Sequence, residues 1–221
     1  MPKPVVGYWN IRGLVEPIRY ILHYNNVDFE DKRYPLSDRQ LWEKEKFNLN
    51  LDFPNLPYYI DDDVRLTQSV AILRYLAEKY GLDGKTKAEK LLVSLAEQQI
   101  IDFRTSFGRL CYDPNFEKTK PEFEKKVPVQ LKFVADFLGN RKYLAGDSLT
   151  YVDFMAYDTL DYYLYLIPNV FADFPVLKEY HQRIRNLPEL QAYLKSSQYQ
   201  RWPFFSPEAQ FGGKGPEPKQ E

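Results

Sequence analysis

Cysteine and histidine are scarce in this sequence, and their scarcity excludes several kinds of site. The 221 residues include one cysteine, Cys111, so the chain forms no internal disulfide, no cysteine-rich zinc site and no Cys-x-x-Cys redox pair. The two histidines, His23 and His181, lie far apart in the sequence, and we expect no metal site. A single unpaired thiol fits a reducing compartment such as the cytosol.

A long apolar run and an excess of charge are also missing. No stretch approaches the roughly 18 apolar residues of a membrane span, and the N-terminus (MPKPVVGYWNIRG) lacks the apolar core of a signal peptide. Lys and Arg total 30 against 31 Asp and Glu, whereas nucleic acid binding requires a basic excess. We therefore expect a cytoplasmic protein that binds neither a membrane nor nucleic acid.

Apolar side chains are plentiful, at 44% hydrophobic and 16% aromatic residues, so the chain can bury a core. The patterns of the first third predict strands over 4–9 and 28–34, a hairpin over 57–67, and helices from Pro17, over 41–47 and from a Ser69 cap. Beyond the Gly-rich loop 81–86 they predict only helices, over 88–110, 121–138, 150–165, 175–186 and 188–196. We predict an α/β domain over 1–84 and an all-α domain over 85–221, with a disordered tail from about 212.

Candidate ligand-binding residues stand at the ends of the predicted N-terminal strands. Tyr8 ends the first strand before a polar turn, where a side chain can face a ligand, although most of the 18 tyrosines must be structural. Asn55, Leu56 and Pro57 precede the hairpin. A trans Leu56–Pro57 bond is the ordinary expectation, whereas a cis bond would expose the Leu56 backbone to a peptide-like ligand.

Two further pairs lie on the predicted helices of this domain. Gln68 and Ser69 begin a helix, so Ser69 either caps it or, with the free amides and the helix dipole, helps to hold a carboxylate. Trp42 and Lys46 are four residues apart on one helix face, so they either contact one ligand together or pack on each other.

In the helical half, the polar residues favour structural roles. Asp102 and Arg104 belong to an amphipathic helix, and we expect such charges to face solvent. Tyr112 near the end of that helix is likewise expected to be structural. Thr150 and Asp153 have the spacing of a capping box, with Asp153 in place of the usual Glu or Gln.

Together and in this order, the segments resemble the cytosolic glutathione S-transferases, specifically the mu class. The matching segments are GYWNIRGLVEPIR (7–19), WEKEKFNLNLDFPNLPYYID (42–61), LTQSVAILRYLAEKY (66–80), LCYDPNFEKTKPEF (110–123) and YLAGDSLTYVDFMAYDTLD (143–161). Only PLSD (35–38) separates Tyr34 from Arg39, where the vertebrate enzymes carry a longer insertion. This short loop and the WPF and FGG motifs of 202–213 are similar to the flatworm mu-like enzymes.

The resemblance implies a thioredoxin-like domain that binds glutathione and a helical domain that contributes a pocket for the electrophile. It implies that Tyr8 is the catalytic tyrosine and that no residue binds a metal. The implied glutathione-binding residues are Tyr8, Trp9, Leu14, Trp42, Lys46, Asn55, Leu56, Gln68, Ser69 and, from the partner subunit, Asp102. The implied electrophile-pocket residues are Leu14, Gly108, Tyr112 and Phe205. Phe53 matches the aromatic key of the mu dimer interface, and Arg39 matches an arginine of the long-loop enzymes.

The implied activity is conjugation of reduced glutathione to hydrophobic electrophiles, a detoxification reaction, in which the Tyr8 hydroxyl stabilises the thiolate. The implied protein is a cytoplasmic homodimer with glutathione as co-substrate and no permanently bound cofactor. One alternative is a non-catalytic carrier of apolar ligands on the same fold, which the intact Tyr8, Gln68 and Ser69 disfavour. Another is a thiol oxidoreductase, which the lack of any cysteine before Cys111 disfavours.

Overall fold

The structure, a computed structural model, describes residues 2–218 and contains a mixed sheet followed by a helical bundle. The strands are β1 (Val5–Trp9), β2 (Glu30–Tyr34), β3 (Tyr58–Ile60) and β4 (Arg65–Thr67). The α-helices are α1 (Glu16–Tyr24), α2 (Gln40–Glu45), α3 (Ser69–Tyr80), α4 (Lys87–Cys111), α5 (Phe116–Leu138), α6 (Tyr151–Leu166), α7 (Pro175–Arg185) and α8 (Gln191–Leu194). Short 3-10 turns cover Gly13–Val15 and Pro188–Leu190. None of these helices is long and apolar enough to cross a bilayer.

The sheet has the strand order β2-β1-β3-β4, with β1 and β2 parallel and the other pairs antiparallel. A helical crossover, α1, joins the parallel pair, as parallel strands require. The tight turn after Asp61 closes the predicted hairpin, since the Asp61 carboxylate accepts the amides of Asp63 and Val64, both at 2.9 Å. This α/β arrangement followed by helices is the thioredoxin-like plus all-α fold that the resemblance implies.

The centre of the helical domain is α6, in which every residue except Leu164 is buried. Its start follows the predicted capping box: the Asp153 carboxylate accepts the Thr150 amide at 2.8 Å, and the reciprocal bond to the Thr150 side chain is present. The predicted domain boundary after residue 84 falls in the loop between α3 and α4. Helices α1 and α3 both pack against α6, so the two halves share a continuous core.

Three local predictions need correction. The helix predicted from residue 121 begins at Phe116, because the buried Phe116 ring stacks on Phe211 at 6.0 Å and tertiary packing extends the helix ahead of Pro121. Ser69 does not cap α3: Gln68 is the N-cap, with φ of 69°, and Ser69 is the first helical residue. The segment predicted as a helix over 188–196 is a 3-10 turn followed by the short α8.

The expected disordered tail from about residue 212 also needs correction at its start. Gly212 and Gly213 are buried, and the Gly212 carbonyl accepts the amides of Phe204 and Phe205, both at 2.9 Å. These bonds close a loop within residues 202–213, and the Gln210 amide, which donates to the Cys111 carbonyl at 2.7 Å, attaches this segment to the helical domain. The last residues of the predicted tail, 219–221, lie outside the described residues.

Candidate active site

Tyr8 ends β1 with its ring buried and its hydroxyl bonded to a loop amide. Its exposed fraction is 7%, and the Leu14 N–H donates to its hydroxyl oxygen at 3.2 Å. Burial raises the pKa of Tyr8 above its ordinary value, against the lowering effects of the Leu14 amide and the Arg104 charge. The phenol is therefore neutral near pH 7, and its proton is free to be donated to a ligand atom.

The turn after β1 brings its backbone close to Tyr8 because residue 13 is glycine. Gly13 has a φ of 42°, in the left-handed region, and a Cβ atom there would lie 2.5 Å from the Tyr8 ring carbon Cε1 and 2.8 Å from its oxygen. Any side chain at Gly13 would therefore displace the tyrosine. The Gly13 N–H donates to the Phe204 carbonyl at 3.0 Å, so the C-terminal segment holds this turn from the other side.

Leu56 presents backbone groups beside β3, the strand paired with β1. The Leu56–Pro57 peptide bond is cis, contrary to the ordinary expectation for an X–Pro bond. The Leu56 side chain is buried, and its N–H donates to the Asn55 side-chain oxygen at 2.8 Å. A peptide-like ligand that accepts the Leu56 N–H would therefore replace Asn55 as its partner.

Gln68 and Ser69 lie at the N-terminus of α3, a helix of 12 residues. Gln68 is exposed at a φ of 69°, which only a few per cent of non-glycine residues adopt. Ser69 is half-buried and lines the large cleft described below. Because the first amides of a helix have no intrahelical acceptor and the dipole is positive there, this end of α3 favours a carboxylate.

Trp42 and Lys46 contact different groups, although their spacing would let both contact one ligand. The Trp42 ring is buried, with centroids 5.5 Å from Tyr34 and 6.0 Å from Tyr58, so much of it belongs to the core. The Lys46 ammonium pairs with Glu43 at 2.5 Å. Trp9 is half-buried, 6.4 Å from the Tyr34 ring.

Arg39, in the short loop, pairs with Glu208 of the C-terminal segment, and both side chains are exposed. In this structure the Arg39 guanidinium therefore joins the loop after β2 to the end of the chain.

A cleft of about 460 Å³ opens between the two domains, and Leu14, whose amide bonds the Tyr8 oxygen, lines it, although Tyr8 itself does not. All four predicted electrophile-pocket residues line it, and so does Ser69. The lining residues are Leu14, Pro17, Ser69, Val70, Leu73, Ile101, Arg104, Thr105, Gly108, Arg109, Tyr112, Met155 and Phe205. Its wall is mostly apolar. A Cβ atom at Gly108 would meet nothing within 4 Å, so this glycine keeps part of the cleft open.

The C-terminal segment shapes one wall of this cleft. The Tyr112 hydroxyl bonds the Ser206 hydroxyl at 2.9 Å and accepts the Ser206 amide at 3.1 Å. The Phe205 ring lies 5.4 Å from the Tyr112 ring. These contacts give Tyr112 a definite place in the cleft wall rather than the purely structural role expected from position alone.

Arg104 is the main cleft residue that the sequence reasoning missed, because it was expected to face solvent. Its side chain is 13% exposed and donates to the Asp158 carboxylate at 2.9 Å and to the Gly13 carbonyl. Asp158 and Asp161 also bind the buried Arg12, at 2.8 and 2.6 Å. The available signal was the pair of aspartates in the otherwise apolar α6, because buried carboxylates require cationic partners.

Phe53 and Asp102 are not among the residues that line the cleft. Phe53 lies in the loop before β3 and is 72% exposed, and Asp102 is exposed on α4. Seven other predicted site residues do not line the cleft either: Tyr8, Trp9, Trp42, Lys46, Asn55, Leu56 and Gln68.

Comparisons with known proteins bear on both halves of the chain. Residues 4–78 match the family model for the glutathione S-transferase N-terminal domain, and residues 101–197 match the one for the C-terminal domain. The chain is 48% identical, over 94% of its length and 95% of the relative's, to the glutathione S-transferase class-mu 26 kDa isozyme 7 of Fasciola hepatica. It is 47% identical to the mouse (Mus musculus) glutathione S-transferase Mu 1, over 95% and 99% of the two chains.

A solved structure of a glutathione S-transferase is also similar to this chain. The crystal structure of the glutathione S-transferase Blo t 8 superposes with a TM-score of 0.88 at 35% identity. The match covers 94% of this chain and 99% of that one.

Proposed function

The chain belongs to the mu class of the glutathione S-transferases, enzymes that conjugate reduced glutathione to electrophiles, and we propose that here the Tyr8 hydroxyl stabilises the glutathione thiolate. The observation that carries the proposal is the position of Tyr8. Its neutral phenol accepts the N–H of Leu14, a residue of the cleft wall, and within residues 2–218 no acceptor takes its proton. Sulfur placed within reach of this proton would face the cleft in which an apolar electrophile fits.

The energetics of this step suit a single hydroxyl. A free thiol has a pKa of about 8.5. Lowering this pKa by about two units requires ~2.7 kcal/mol of stabilisation of the thiolate relative to the thiol. One hydrogen bond to a charged group contributes roughly 1.5–3 kcal/mol. Tyr8 therefore supplies most of the shift by donating its proton in a hydrogen bond, without itself ionising.

The rest of glutathione would bind along the N-terminal domain. The α3 N-terminus, with Gln68 and Ser69, suits the γ-glutamyl carboxylate, and the Leu56 backbone suits the cysteinyl peptide group. The glycyl end would then lie toward Trp42 and Lys46, where the Lys46 ammonium would have to share or leave Glu43. In this scheme Asn55 releases the Leu56 N–H when the ligand arrives.

The electrophile would occupy the cleft lined by Leu14, Gly108, Tyr112 and Phe205. Because the wall is mostly apolar, recognition there depends on burial of apolar surface, which is not directional and admits many shapes. Such tolerance suits a detoxification role in the cytoplasm. A carrier function without catalysis is not favoured, because the relatives are named as transferases.

We further propose that the active form is a homodimer. A second apolar cleft, of about 150 Å³, lies between α4 and α5, and its lining residues Leu95 and Phe133 are 58% and 57% exposed. The same chain exposes 72% of Phe53, so in a symmetric pair each Phe53 can enter the other copy's cleft. Asp102 lies three residues beyond Gln99, which lines this cleft, so the two residues share one face of α4. When Phe53 of one copy enters this cleft, the Asp102 beside it would approach the loop of that copy that carries Asn55 and Leu56.

Tyr8→Phe tests the proposed role of the hydroxyl. Turnover should fall by about 10–100-fold, equivalent to ~1.4–2.7 kcal/mol, with the fold and glutathione affinity kept and the pKa of the bound thiol raised. Steady-state kinetics and the ultraviolet absorbance of bound thiolate against pH measure both quantities.

Tyr59→Phe is the matched control, because Tyr59 is a buried tyrosine of the same sheet whose hydroxyl bonds Asp61 at 2.9 Å. It should alter neither turnover nor thiol pKa. An unchanged thiol pKa in Tyr8→Phe would show that another group activates the sulfur.

A further inference from the structure

The peptide group between Gly13 and Leu14 lies between Tyr8 and Arg104, a largely buried arginine of the other domain. On its nitrogen side, the Leu14 N–H donates to the Tyr8 oxygen at 3.2 Å. On its oxygen side, the Gly13 carbonyl accepts from the Arg104 guanidinium and, at 3.2 Å, from the Tyr162 hydroxyl. A chain of hydrogen bonds therefore runs from a cation on α4, through one peptide group, to the proposed catalytic hydroxyl.

Arg104 is held in this position by α6. Its Nη1 donates to the Asp158 carboxylate at 2.9 Å, and its Nη2 also donates to the Tyr162 hydroxyl at 3.1 Å. Asp158 in turn binds the buried Arg12, so Asp158 has a fixed orientation. The guanidinium is thus set by the helical domain, and it has little freedom to leave the Gly13 carbonyl.

We propose that Arg104 is a positioning residue for catalysis: it polarises and fixes the Gly13–Leu14 peptide group, and this makes the Tyr8 hydroxyl a stronger donor to the glutathione thiolate. The inference rests on the proposed role of Tyr8. A cation on a carbonyl oxygen draws electrons from the amide, so the amide N–H becomes a stronger donor. Hydrogen bonds in such a chain strengthen one another by about 10–30% each.

Three charged or titratable side chains bear on the Tyr8 hydroxyl. Arg104 and Arg19 lower its pKa, and Tyr112 raises it. Arg19 binds Glu16 and Asp31, and in the turn after β1 it donates to the Ile11 carbonyl at 3.3 Å rather than to the Gly13 carbonyl. Arg104 is the one of the three that is connected to the Tyr8 hydroxyl by hydrogen bonds through the peptide group.

Arg104→Met tests the proposal, because it removes the cation while keeping a long side chain. The pKa of glutathione bound to the full-length protein should rise by about half a unit, equivalent to a threefold change in the ionisation constant. Turnover at neutral pH should fall by about threefold and recover at pH values above both thiol pKa values. The KM for glutathione should stay within about twofold, since the hydrogen bonds of Arg104 go to Asp158, Gly13 and Tyr162 and not to α3 or Leu56.

Two milder variants keep the test decisive if Arg104→Met fails to fold. Arg104→Lys retains the charge but cannot bind Asp158 and the Gly13 carbonyl as a planar fork, so it should give an intermediate thiol pKa. Tyr162→Phe removes the second donor to the Gly13 carbonyl and should raise the thiol pKa by less than Arg104→Met does.

Arg33→Met is the matched control. Arg33 also binds a carboxylate, that of Asp31 on its own strand, and joins the domains through the Gln198 carbonyl, but it has no hydrogen bond to the 13–14 peptide among the described residues. It should leave the thiol pKa unchanged at a comparable loss of thermal stability.

A folded Arg104→Met protein with the wild-type thiol pKa would overturn the proposal, even if its turnover falls, since Arg104 would then act on the electrophile alone. Where that variant does not fold, an unchanged thiol pKa in Tyr162→Phe overturns it. Tyr8→Phe distinguishes a failure of the proposed role of Arg104 from a failure of the proposed role of Tyr8. If it shifts the thiol pKa and Arg104→Met does not, only the role of Arg104 fails, whereas an unchanged pKa in Tyr8→Phe removes the proposed function itself.

Discussion

The two sides of the cleft are built by different means. The N-terminal side uses groups whose positions the backbone determines: the first turn of α3, which lines the cleft, and behind this lining the buried Tyr8 at a strand end and the Leu56 peptide. The helical side uses side chains, some of which border solvent: Tyr112 is 43% exposed, and a Cβ atom at Gly108 would meet nothing within 4 Å. Leu14, between them, is 44% exposed.

Because of this difference, the two sides of the cleft recognise different features of a ligand. Backbone amides and a buried hydroxyl recognise one arrangement of polar atoms, and a ligand that lacks it leaves them unpaired. Apolar side chains that border solvent recognise only size and surface. Changes on the N-terminal side should therefore affect every substrate alike, while changes on the helical side should affect one electrophile more than another.

Phe53→Ala should have the largest effect, because loss of the proposed homodimer would alter the active sites of both subunits. Truncating a buried aromatic anchor costs about 2 kcal/mol or more, roughly a 30-fold change in an association constant, and a symmetric interface contains the anchor twice. Dissociation would also remove the partner's Asp102 and the support of the loop carrying Asn55. Sedimentation equilibrium and kinetics on one preparation measure both effects.

Phe47→Ala is the control for this change, since Phe47 is 73% exposed, much like Phe53, but does not take part in the proposed interface. It should associate like the wild type. A wild-type monomer, or a dissociated Phe53→Ala protein with full activity, would contradict an active site completed by the partner.

Ser69→Ala tests the claim that the N-terminal side acts on all substrates alike. Loss of one hydrogen bond to a carboxylate should raise the KM for glutathione by about tenfold, or ~1.4 kcal/mol, with every electrophile tried. Stability should hardly change, because the Ser69 side chain caps no helix amide. Kinetics with several electrophiles and thermal unfolding measure this.

The exposed Ser94 on α4 provides a control, since Ser94→Ala should change neither quantity. A KM that rises with one electrophile but not with another would break the proposed division between the two sides.

Local signals were sufficient for much of the fold. The Thr150–Asp153 capping box depends on four adjacent residues, and the hairpin around Asp61 depends on a short turn, so both were visible in the sequence. Residues predicted to line the electrophile pocket do meet in one cleft, because long family motifs set their spacing.

Long-range interactions account for what the sequence reasoning missed. Arg12 and Arg104 are buried because Asp158, over 50 residues beyond Arg104, lies opposite them in the folded chain. The early start of α5 depends on Phe211, which stacks on Phe116 from the far end of the chain. The aspartates of α6 indicate that a cation is needed but not which one, and nothing near Phe116 indicates Phe211, so both partners appear only once the helices are packed.

Gly108→Leu tests the helical side of the cleft, and its expected effect on kinetics is smaller than that of Ser69→Ala. A Cβ atom at Gly108 meets nothing within 4 Å, and replacing a helical glycine should stabilise α4 by about 0.5–1 kcal/mol. The added side chain narrows the cleft, so kcat/KM should fall by about 3–10-fold for a bulky electrophile and by less than about twofold for a small one. The KM for glutathione should not change, and an equal loss with both electrophiles would contradict the proposed role of this wall.

Cys111→Ala should have the smallest effect, although Cys111 adjoins Tyr112 in sequence. The thiol is fully buried, and burial raises its pKa well above the ordinary value, so it is neither ionised nor accessible at neutral pH. Its carbonyl accepts the Gln210 amide at 2.7 Å, a bond that the substitution leaves in place. Turnover and both KM values should stay within about twofold, while the free energy of unfolding falls by about 1 kcal/mol from the lost packing. Kinetics and denaturant unfolding on the same sample check this, and a folded Cys111→Ala protein without activity would show that the chemistry uses the protein's own thiol rather than that of glutathione.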